Sequence, residues 1–174
     1  PLADIVGAEG HLYAVEPVPV IFSVLQRNMR GRDNATLLNY ALGEEERAIE
    51  MANDSVAAAG YFGTGRNFVS DGELSGEAIR FTAQMVRGSR LFAEVGKIDF
   101  IKCDIEGYEV VVMNELRPRL GRWRPKVLIA TGGETRQKII ALFRSLGYRG
   151  YTLEHGLEVP LTADSKKDII FRAQ

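Results

Sequence analysis

Cysteine, histidine and long apolar runs are what this 174-residue sequence has least of. Its single cysteine, Cys103, has no partner for an internal disulfide, and its two histidines, His11 and His155, stand far apart. Because zinc sites draw their ligands from clusters of such residues, the sequence predicts no metal site. No apolar stretch approaches the roughly 20 residues that cross a bilayer, so we expect no membrane contact.

An excess of one charge is also missing. The 22 lysines and arginines nearly balance the 23 acids and are scattered along the chain. Nucleic-acid-binding proteins carry a basic stripe or patch, so nucleic acid is not an expected partner. The lone cysteine, and an amino-terminal stretch without a basic segment or a signal-like apolar core, favour a reducing, cytoplasmic setting.

Strand-like and helix-like segments alternate along the chain, and 45% hydrophobic residues suffice for one core, so we predict a single domain over residues 1–174. The strand-like segments are HLYAV (11–15), TLLNYALG (36–43), IDFIKC (98–103) and KVLIAT (126–131). Apolar residues at helical spacing follow Pro17, Tyr108 and Glu134. This alternation predicts an α/β fold with a mostly parallel sheet.

Two regions depart from this alternation. GYTLE (150–154) and DIIFR (168–172) are joined by a polar turn region too short for a crossover helix, which predicts an antiparallel hairpin at the carboxyl terminus. Residues 44–97 are rich in glycine, serine, asparagine and acids, with one strand at AIRFTAQMV. We interpret them as a long irregular insertion, either a functional loop or a mobile surface segment.

Polar side chains follow the first two strands, where open α/β sheets bind their ligands. Glu16 comes directly after HLYAV, and its carboxylate could accept hydrogen bonds from a ribose diol. An acid that stabilises the start of the next helix is the alternative. Asn39 follows the second strand, where its amide could contact an adenine edge or form a turn.

Three carboxylates follow the third strand, in KIDFIKCDIEGYE: Asp104, Glu106 and Glu109. Asp104 and Glu106 could hold a substrate hydroxyl or act as a general base. The alternative is a helix start in which Asp104 caps the helix and Glu106 and Glu109 occupy its first turn. A helix start seldom requires three acids, which favours a functional site.

Taken together, these segments resemble the FkbM-type family of S-adenosylmethionine-dependent methyltransferases. The segments that carry the resemblance are GHLYAVEPVPVIFSVLQRN, LLNYALG, KIDFIKCDIEGYE, RPKVLIA, LFRSLGY and DIIFR, which together span most of the chain. The resemblance implies a Rossmann-like class I methyltransferase fold that transfers a methyl group to a hydroxyl of a small molecule or sugar. It also implies that Glu16 binds the cofactor ribose and that Asn39 lies near adenine. Asp104 would then contact the cofactor's methyl end, and Asp104 and Glu106 would be catalytic.

The sequence departs from the family pattern at two places. It contains no glycine-rich turn of the kind DVGANIG, and Ala130 and Thr131 stand where the family usually carries an acid. We therefore expect an N-terminally truncated domain that lacks its first strand and glycine loop and binds S-adenosylmethionine weakly or not at all. In the family that strand lies between the strands that end at Glu16 and Asp104, so we expect HLYAV to pair with IDFIKC or a partner to fill the gap. The alternative function is a catalytically silent methyltransferase-like module used for interaction or assembly.

Overall fold

A computed structural model of the chain describes residues 2–56, 67–69, 78–105, 107–165 and 168–174. Contacts within the chain divide it into two compact units, Pro1–Val86 and Arg87–Gln174. We describe the two units separately, and the single domain expected over residues 1–174 stays a prediction.

A two-stranded parallel sheet opens the first unit. Its elements in chain order are α1 (Leu2–Val6), β1 (Leu12–Val15), α2 (Pro19–Asn28) and β2 (Ala35–Leu38). Proline at the first position fixes the backbone for the start of α2. Val18 and Met29, which flank this helix, are buried. The predicted strand and amphipathic helix are thus confirmed, and Val15 and Leu38 pair at the carboxyl ends of the two strands.

The first unit also contains a four-stranded sheet with the order β3-β6-β4-β5. Its strands are β3 (Ala41–Gly43), β4 (Arg47–Val56), β5 (Asn67–Val69) and β6 (Ala78–Arg87). The strand predicted at AIRFTAQMV is confirmed as β6. The expectation of an irregular insertion over 44–97 is wrong for the described residues, because β4 pairs antiparallel with both β5 and β6. Ile49 and Met85, on β4 and β6, are buried and form part of a core.

Sheet pairing also divides the segment that we read as one strand, TLLNYALG. Its first part lies in β2 and pairs with β1, whereas its last part, β3, belongs to the four-stranded sheet. Asn39 and Tyr40 lie between the two strands. One apolar run therefore supplies two sheets, which periodicity within a single strand does not reveal.

The second unit is a five-stranded sheet with the order β10-β9-β11-β8-β7, together with four helices in its described residues. Its elements are α3 (Gly88–Leu91), β7 (Phe100–Cys103), α4 (Glu109–Glu115), α5 (Arg117–Trp123), β8 (Lys126–Ile129), α6 (Gly133–Ser145), β9 (Tyr148–Glu154), β10 (Leu157–Pro160) and β11 (Ile169–Ala173). The pair β7–β8 is parallel, whereas β11 runs antiparallel to both β8 and β9.

The expected mostly parallel sheet is therefore wrong, and the fold is a mixed α/β one. Among the described strand pairs, two are parallel, β1–β2 and β7–β8, whereas the pairs β4–β5, β4–β6, β8–β11, β9–β10 and β9–β11 are antiparallel. The antiparallel arrangement expected of the last two segments is confirmed by the pair β9–β11. The region between them is not only a turn, because it contains β10, which forms a hairpin with β9.

Four buried residues on one face of this sheet belong to the core of the second unit. Val127 and Ile129 on β8 alternate inward, as do Ile169 and Phe171 on β11, and all four are buried. Phe143 of α6 stacks on Phe171 with ring centroids 4.1 Å apart. Burying side chains of this size contributes about 1.5–3 kcal/mol each, so this face of the sheet holds the helix in place.

Strand β7, in contrast, is one of the two edge strands of its described sheet. Its exposure alternates, with Cys103 buried and the side chain of Phe100 42% exposed. The strand predicted at IDFIKC is thus confirmed, although its apolar composition does not bury both of its faces. Direct pairing with HLYAV is also wrong, since β1 pairs with β2 and belongs to another sheet. None of the described helices combines the length and the apolar character needed to cross a membrane.

Candidate functional site

Glu16 lies at the carboxyl end of β1 and is held in place at two points. Its backbone N–H donates to the carbonyl of Leu38 at 3.0 Å, which continues the β1–β2 ladder. Its Oε1 accepts a hydrogen bond of 2.8 Å from the N–H of Val18, the residue that caps α2. Within the described part of the chain Oε2 accepts no hydrogen bond, so this oxygen is available to a ligand.

Burial raises the pKa of Glu16, and the hydrogen bond from Val18 offsets part of that rise. The side chain is half-buried, so its charge is less well solvated than that of an exposed acid. The contact with Val18 also supports the alternative that Glu16 stabilises the start of α2. Oε1 contacts the start of α2 and Oε2 does not, so Glu16 can stabilise the helix and bind a ligand at the same time.

Asn39 joins the ends of the two parallel strands. Its Nδ2 donates to the carbonyl oxygens of Glu16 at 2.8 Å and of Pro17 at 3.2 Å. The structure thus brings two sequence-predicted site residues together at one sheet edge. Because its amide hydrogens are used for the backbone, only the Oδ1 atom of Asn39 remains to contact a ligand.

Asp104 follows β7 and is half-exposed, with Lys102 Nζ 3.1 Å from its Oδ2. It does not cap α4, since the residue that precedes this helix is Tyr108, which makes no capping bond with its side chain. The helix-capping alternative for Asp104 is therefore excluded. Glu106, the other predicted catalytic acid, lies outside the described residues.

Glu109 is the residue of this region that the sequence-based site omitted. Its exposed fraction is 2%, and its Oε1 accepts hydrogen bonds from the backbone N–H groups of Gly107 at 3.0 Å and Ile105 at 3.3 Å. Its Oε2 is buried and has no hydrogen-bond partner among the described residues. The available signal was its position as the third acid of the motif, but burial of that acid depends on how α4 packs.

The single cysteine lies next to these acids. Cys103 is buried at the end of β7, and burial, followed by the negative charges of Glu109 and Asp104, raises the pKa of its thiol to about 12. A thiol with such a pKa is almost entirely protonated at neutral pH and is therefore a poor nucleophile. Cys103 is therefore an inert buried thiol.

Strand β8 ends beside β7, with the N–H of Ala130 donating to the carbonyl of Cys103 at 3.0 Å. Thr131, which with Ala130 stands where the resembled family is expected to carry an acid, has a buried Oγ1 without a hydrogen-bond partner in the described residues. Its carbonyl accepts a long hydrogen bond of 3.4 Å from Arg136. Near the carboxyl ends of β7 and β8, two buried polar atoms therefore have no hydrogen-bond partner among the residues that the structure describes, Glu109 Oε2 and Thr131 Oγ1.

The predicted residues thus fall into two local groups. Glu16 and Asn39 belong to the first unit, and Asp104 belongs to the second, where it is joined by Glu109. Each group lies at the carboxyl end of a parallel strand pair, the position that open α/β sheets use for ligands.

Comparison with known proteins gives two matches. The model of the methyltransferase FkbM domain matches residues 2–149. The crystal structure of methyltransferase FkbM from Methylobacillus flagellatus KT resembles the chain with a TM-score of 0.54 at 17% sequence identity, which supports a shared fold. That alignment covers 98% of this chain and 40% of the crystallised one, so the chain spans less than half the length of this protein. Comparison with curated proteins gives no match. Since the family model covers most of the sequence, the chain belongs to the methyltransferase FkbM domain family.

Proposed function

We propose that the chain is an S-adenosylmethionine-dependent methyltransferase domain with a Rossmann-like class I fold, acting on a hydroxyl of a small molecule or sugar. Family membership supports methyl transfer. The observation that carries the cofactor assignment is Glu16, whose Oε1 is fixed by Val18 while its Oε2 is left for a ligand. A half-buried carboxylate oxygen at the end of a parallel strand fits a ribose hydroxyl.

Each group of residues has its own part in this proposal. Glu16 would accept hydrogen bonds from the ribose hydroxyls, and Asn39 would offer its Oδ1 atom to the amino group of adenine. When bound, S-adenosylmethionine supplies an electrophilic methyl group. Asp104 would orient the acceptor hydroxyl and take its proton as the oxygen is methylated, and Glu106 would share this task.

Titration with S-adenosylhomocysteine, followed by NMR chemical shifts, tests the cofactor assignment. Within the first unit, we expect chemical-shift changes only at residues around Glu16 and Asn39. The expected dissociation constant is about 1 mM, because the sequence has no glycine-rich turn to hold the amino-acid part of the ligand. Absence of shifts at millimolar ligand would refute cofactor binding. A low micromolar constant would refute the prediction of weak binding.

Two nucleosides sharpen this test. Adenosine has the groups that Glu16 and Asn39 would contact, so it should bind with an affinity similar to that of S-adenosylhomocysteine. 2′-Deoxyadenosine lacks one hydroxyl of the diol and should bind several-fold more weakly, because one hydrogen bond to a carboxylate is lost. Equal binding of the two nucleosides would exclude the proposed contact with Glu16.

A catalytically silent module is the second candidate. It is favoured by Ala130 and Thr131, because no carboxylate stands at the end of β8 where the resembled family usually has one. A silent module would give no methyl transfer from labelled S-adenosylmethionine to any member of a panel of hydroxylated sugars and small molecules. Transfer to one member would exclude it.

A further inference from the structure

The turn that follows β7 is held by a single buried carboxylate. We define this turn by its described residues Asp104, Ile105, Gly107 and Tyr108. The carboxylate of Glu109 accepts hydrogen bonds from the backbone N–H groups of Ile105 and Gly107, at 3.3 and 3.0 Å. Ile105 is directly bonded to Asp104, so these contacts fix the peptide group that follows the candidate catalytic acid.

The backbone of the turn needs such a constraint. Gly107 has φ +96°, a conformation that its missing Cβ permits and that also gives this residue many alternative conformations. One further backbone contact, from the N–H of Tyr108 to the carbonyl of Ile105 at 3.3 Å, is long. Glu109 Oε1 therefore supplies two of the described hydrogen bonds of the turn, and the bond from Gly107, at 3.0 Å, is the shortest of the three.

Helix stabilisation alone does not explain Glu109. An acid that serves only to stabilise the first turn of a helix works well from the surface, where its charge remains solvated. Glu109 is instead 2% exposed, and its Oε2 has no partner in the described part of the chain. Burying a carboxyl group with one oxygen unpaired is costly, which indicates a requirement for this group at this position.

We propose that Glu109 is a positioning residue, which holds the turn after β7 and thereby sets the orientation of Asp104. This rests on the proposed function, in which Asp104 contacts the acceptor hydroxyl. Glu109 itself need not touch any ligand, since its Oε1 acts through the two backbone N–H groups. Small displacements of a positioned group reduce turnover strongly. The carboxylate of Glu109 would therefore affect methyl transfer through Ile105, the residue bonded to Asp104.

The chain contains a matched control on the same helix. Glu115, at the other end of α4, accepts hydrogen bonds from the backbone N–H of Ser89 at 3.0 Å and from the Ser89 hydroxyl. Glu109→Gln and Glu115→Gln therefore each replace an α4 carboxyl group that accepts hydrogen bonds from backbone N–H groups outside the helix. Only the first of them concerns the turn after β7.

Amide hydrogen exchange, measured by NMR, tests whether Glu109 holds the turn. We expect Glu109→Ala to accelerate exchange at Ile105 and Gly107 by about 10-fold or more, and Glu109→Gln to have a smaller effect because its amide oxygen can still accept both bonds. Glu115→Gln should accelerate exchange at Ser89 and leave Ile105 and Gly107 unchanged. Unchanged exchange at both residues in Glu109→Ala would overturn the proposal.

Methyl transfer tests the effect on Asp104. We expect Glu109→Ala to lower kcat by about 10-fold or more while the KM for S-adenosylmethionine changes less than twofold, with Glu109→Gln intermediate and Glu115→Gln at the parent rate. Faster exchange with an unchanged kcat would show that the turn does not position Asp104 and would overturn the proposal. A parent chain without methyl transfer would refute the proposed function and the catalytic part of this proposal. The exchange data would still decide whether Glu109 holds the turn.

Discussion

The half-buried position of Glu16 disfavours the ionised form of its carboxyl group. Burial raises its pKa above the ordinary value of 4.5, so the folded chain binds the carboxyl proton more tightly than the unfolded chain does. The favourable contribution of the protonated group is complete below about pH 4.5 and is lost as the pH rises through the raised value. Around pH 7 the ionised carboxylate therefore destabilises the fold slightly, as expected of a carboxylate that serves ligand binding and not stability.

Replacing this carboxylate separates its binding role from its effect on stability. We expect Glu16→Gln to be as stable as the parent at pH 4 and slightly more stable at pH 7, because glutamine keeps an acceptor for Val18 without the charge. Adenosine binding should fall about 10-fold, as for loss of a charged acceptor. Urea denaturation at the two pH values and NMR titration measure these effects. Glu44→Gln, which changes an exposed acid of the same unit, is the control and should alter neither.

Asp104 is expected to matter for turnover and hardly at all for stability. Its ion pair with Lys102 is half-exposed, and pairs of this kind contribute about 0–1 kcal/mol. Asp104→Asn should therefore keep the fold but lower methyl transfer on the order of 100-fold, as expected when a group that accepts a proton is lost. The assay follows labelled methyl groups from S-adenosylmethionine to the acceptor.

Asp99 supplies the comparison for Asp104. It precedes β7 and forms an ion pair with Lys97, so Asp99→Asn removes a lysine-paired carboxylate from the opposite end of the same strand. We expect parent activity in this variant. If Asp104→Asn also transfers methyl groups at the parent rate, its carboxylate has no part in the reaction.

At the scale of elements, β1 and β2 form a two-stranded parallel sheet, the smallest of the described sheets. Two-stranded pairs are marginal unless other elements pack against them, whereas β8 lies between two strands in a five-stranded sheet. We expect amide exchange to be faster over Leu12–Val15 than over Lys126–Ile129. NMR-detected exchange of the parent chain measures this. Equal, strong protection of both strands would show that contacts beyond the described pairing stabilise β1.

At the scale of the whole molecule, the second unit depends on the aromatic cluster between α6 and the sheet. Phe143 is fully buried, stacks on Phe171 and meets the ring of Tyr148 edge-on at 5.2 Å. Phe143→Ala should lower the free energy of unfolding of this unit by about 3–5 kcal/mol, because it removes the ring and leaves a cavity. Fluorescence of Trp123, the single tryptophan, reports unfolding of this unit in urea.

An exposed apolar residue of the same unit provides the comparison. The side chain of Leu157 is 70% exposed, so Leu157→Ala should change the free energy of unfolding by no more than about 0.5 kcal/mol. Similar effects of the two substitutions would mean that the aromatic cluster is not the core of the unit.

The amino-acid sequence by itself predicted α2, α4 and α6, most strands, the family and the placement of acids at strand ends. These features depend on local order along the chain: the apolar spacing of α6 predicts Ile139, Leu142, Phe143 and Leu146 as its buried residues. The first three are buried, whereas Leu146, which follows the last turn of the helix, is only half-buried. Glu16 and Asp104 follow their strands directly, so their positions at the carboxyl ends could be predicted from the strands alone.

Only the tertiary structure decided which strands pair and which acid is buried. The four-stranded sheet within 44–97 and the division of TLLNYALG between two sheets depend on pairing between distant segments, which no local period records. Likewise, Glu109 reads as one more acid at a helix start, and the packing of α4 is what removes it from water. Periodicity reports which face of an element is apolar, but strand partners and the burial of a polar group depend on contacts with residues far along the chain.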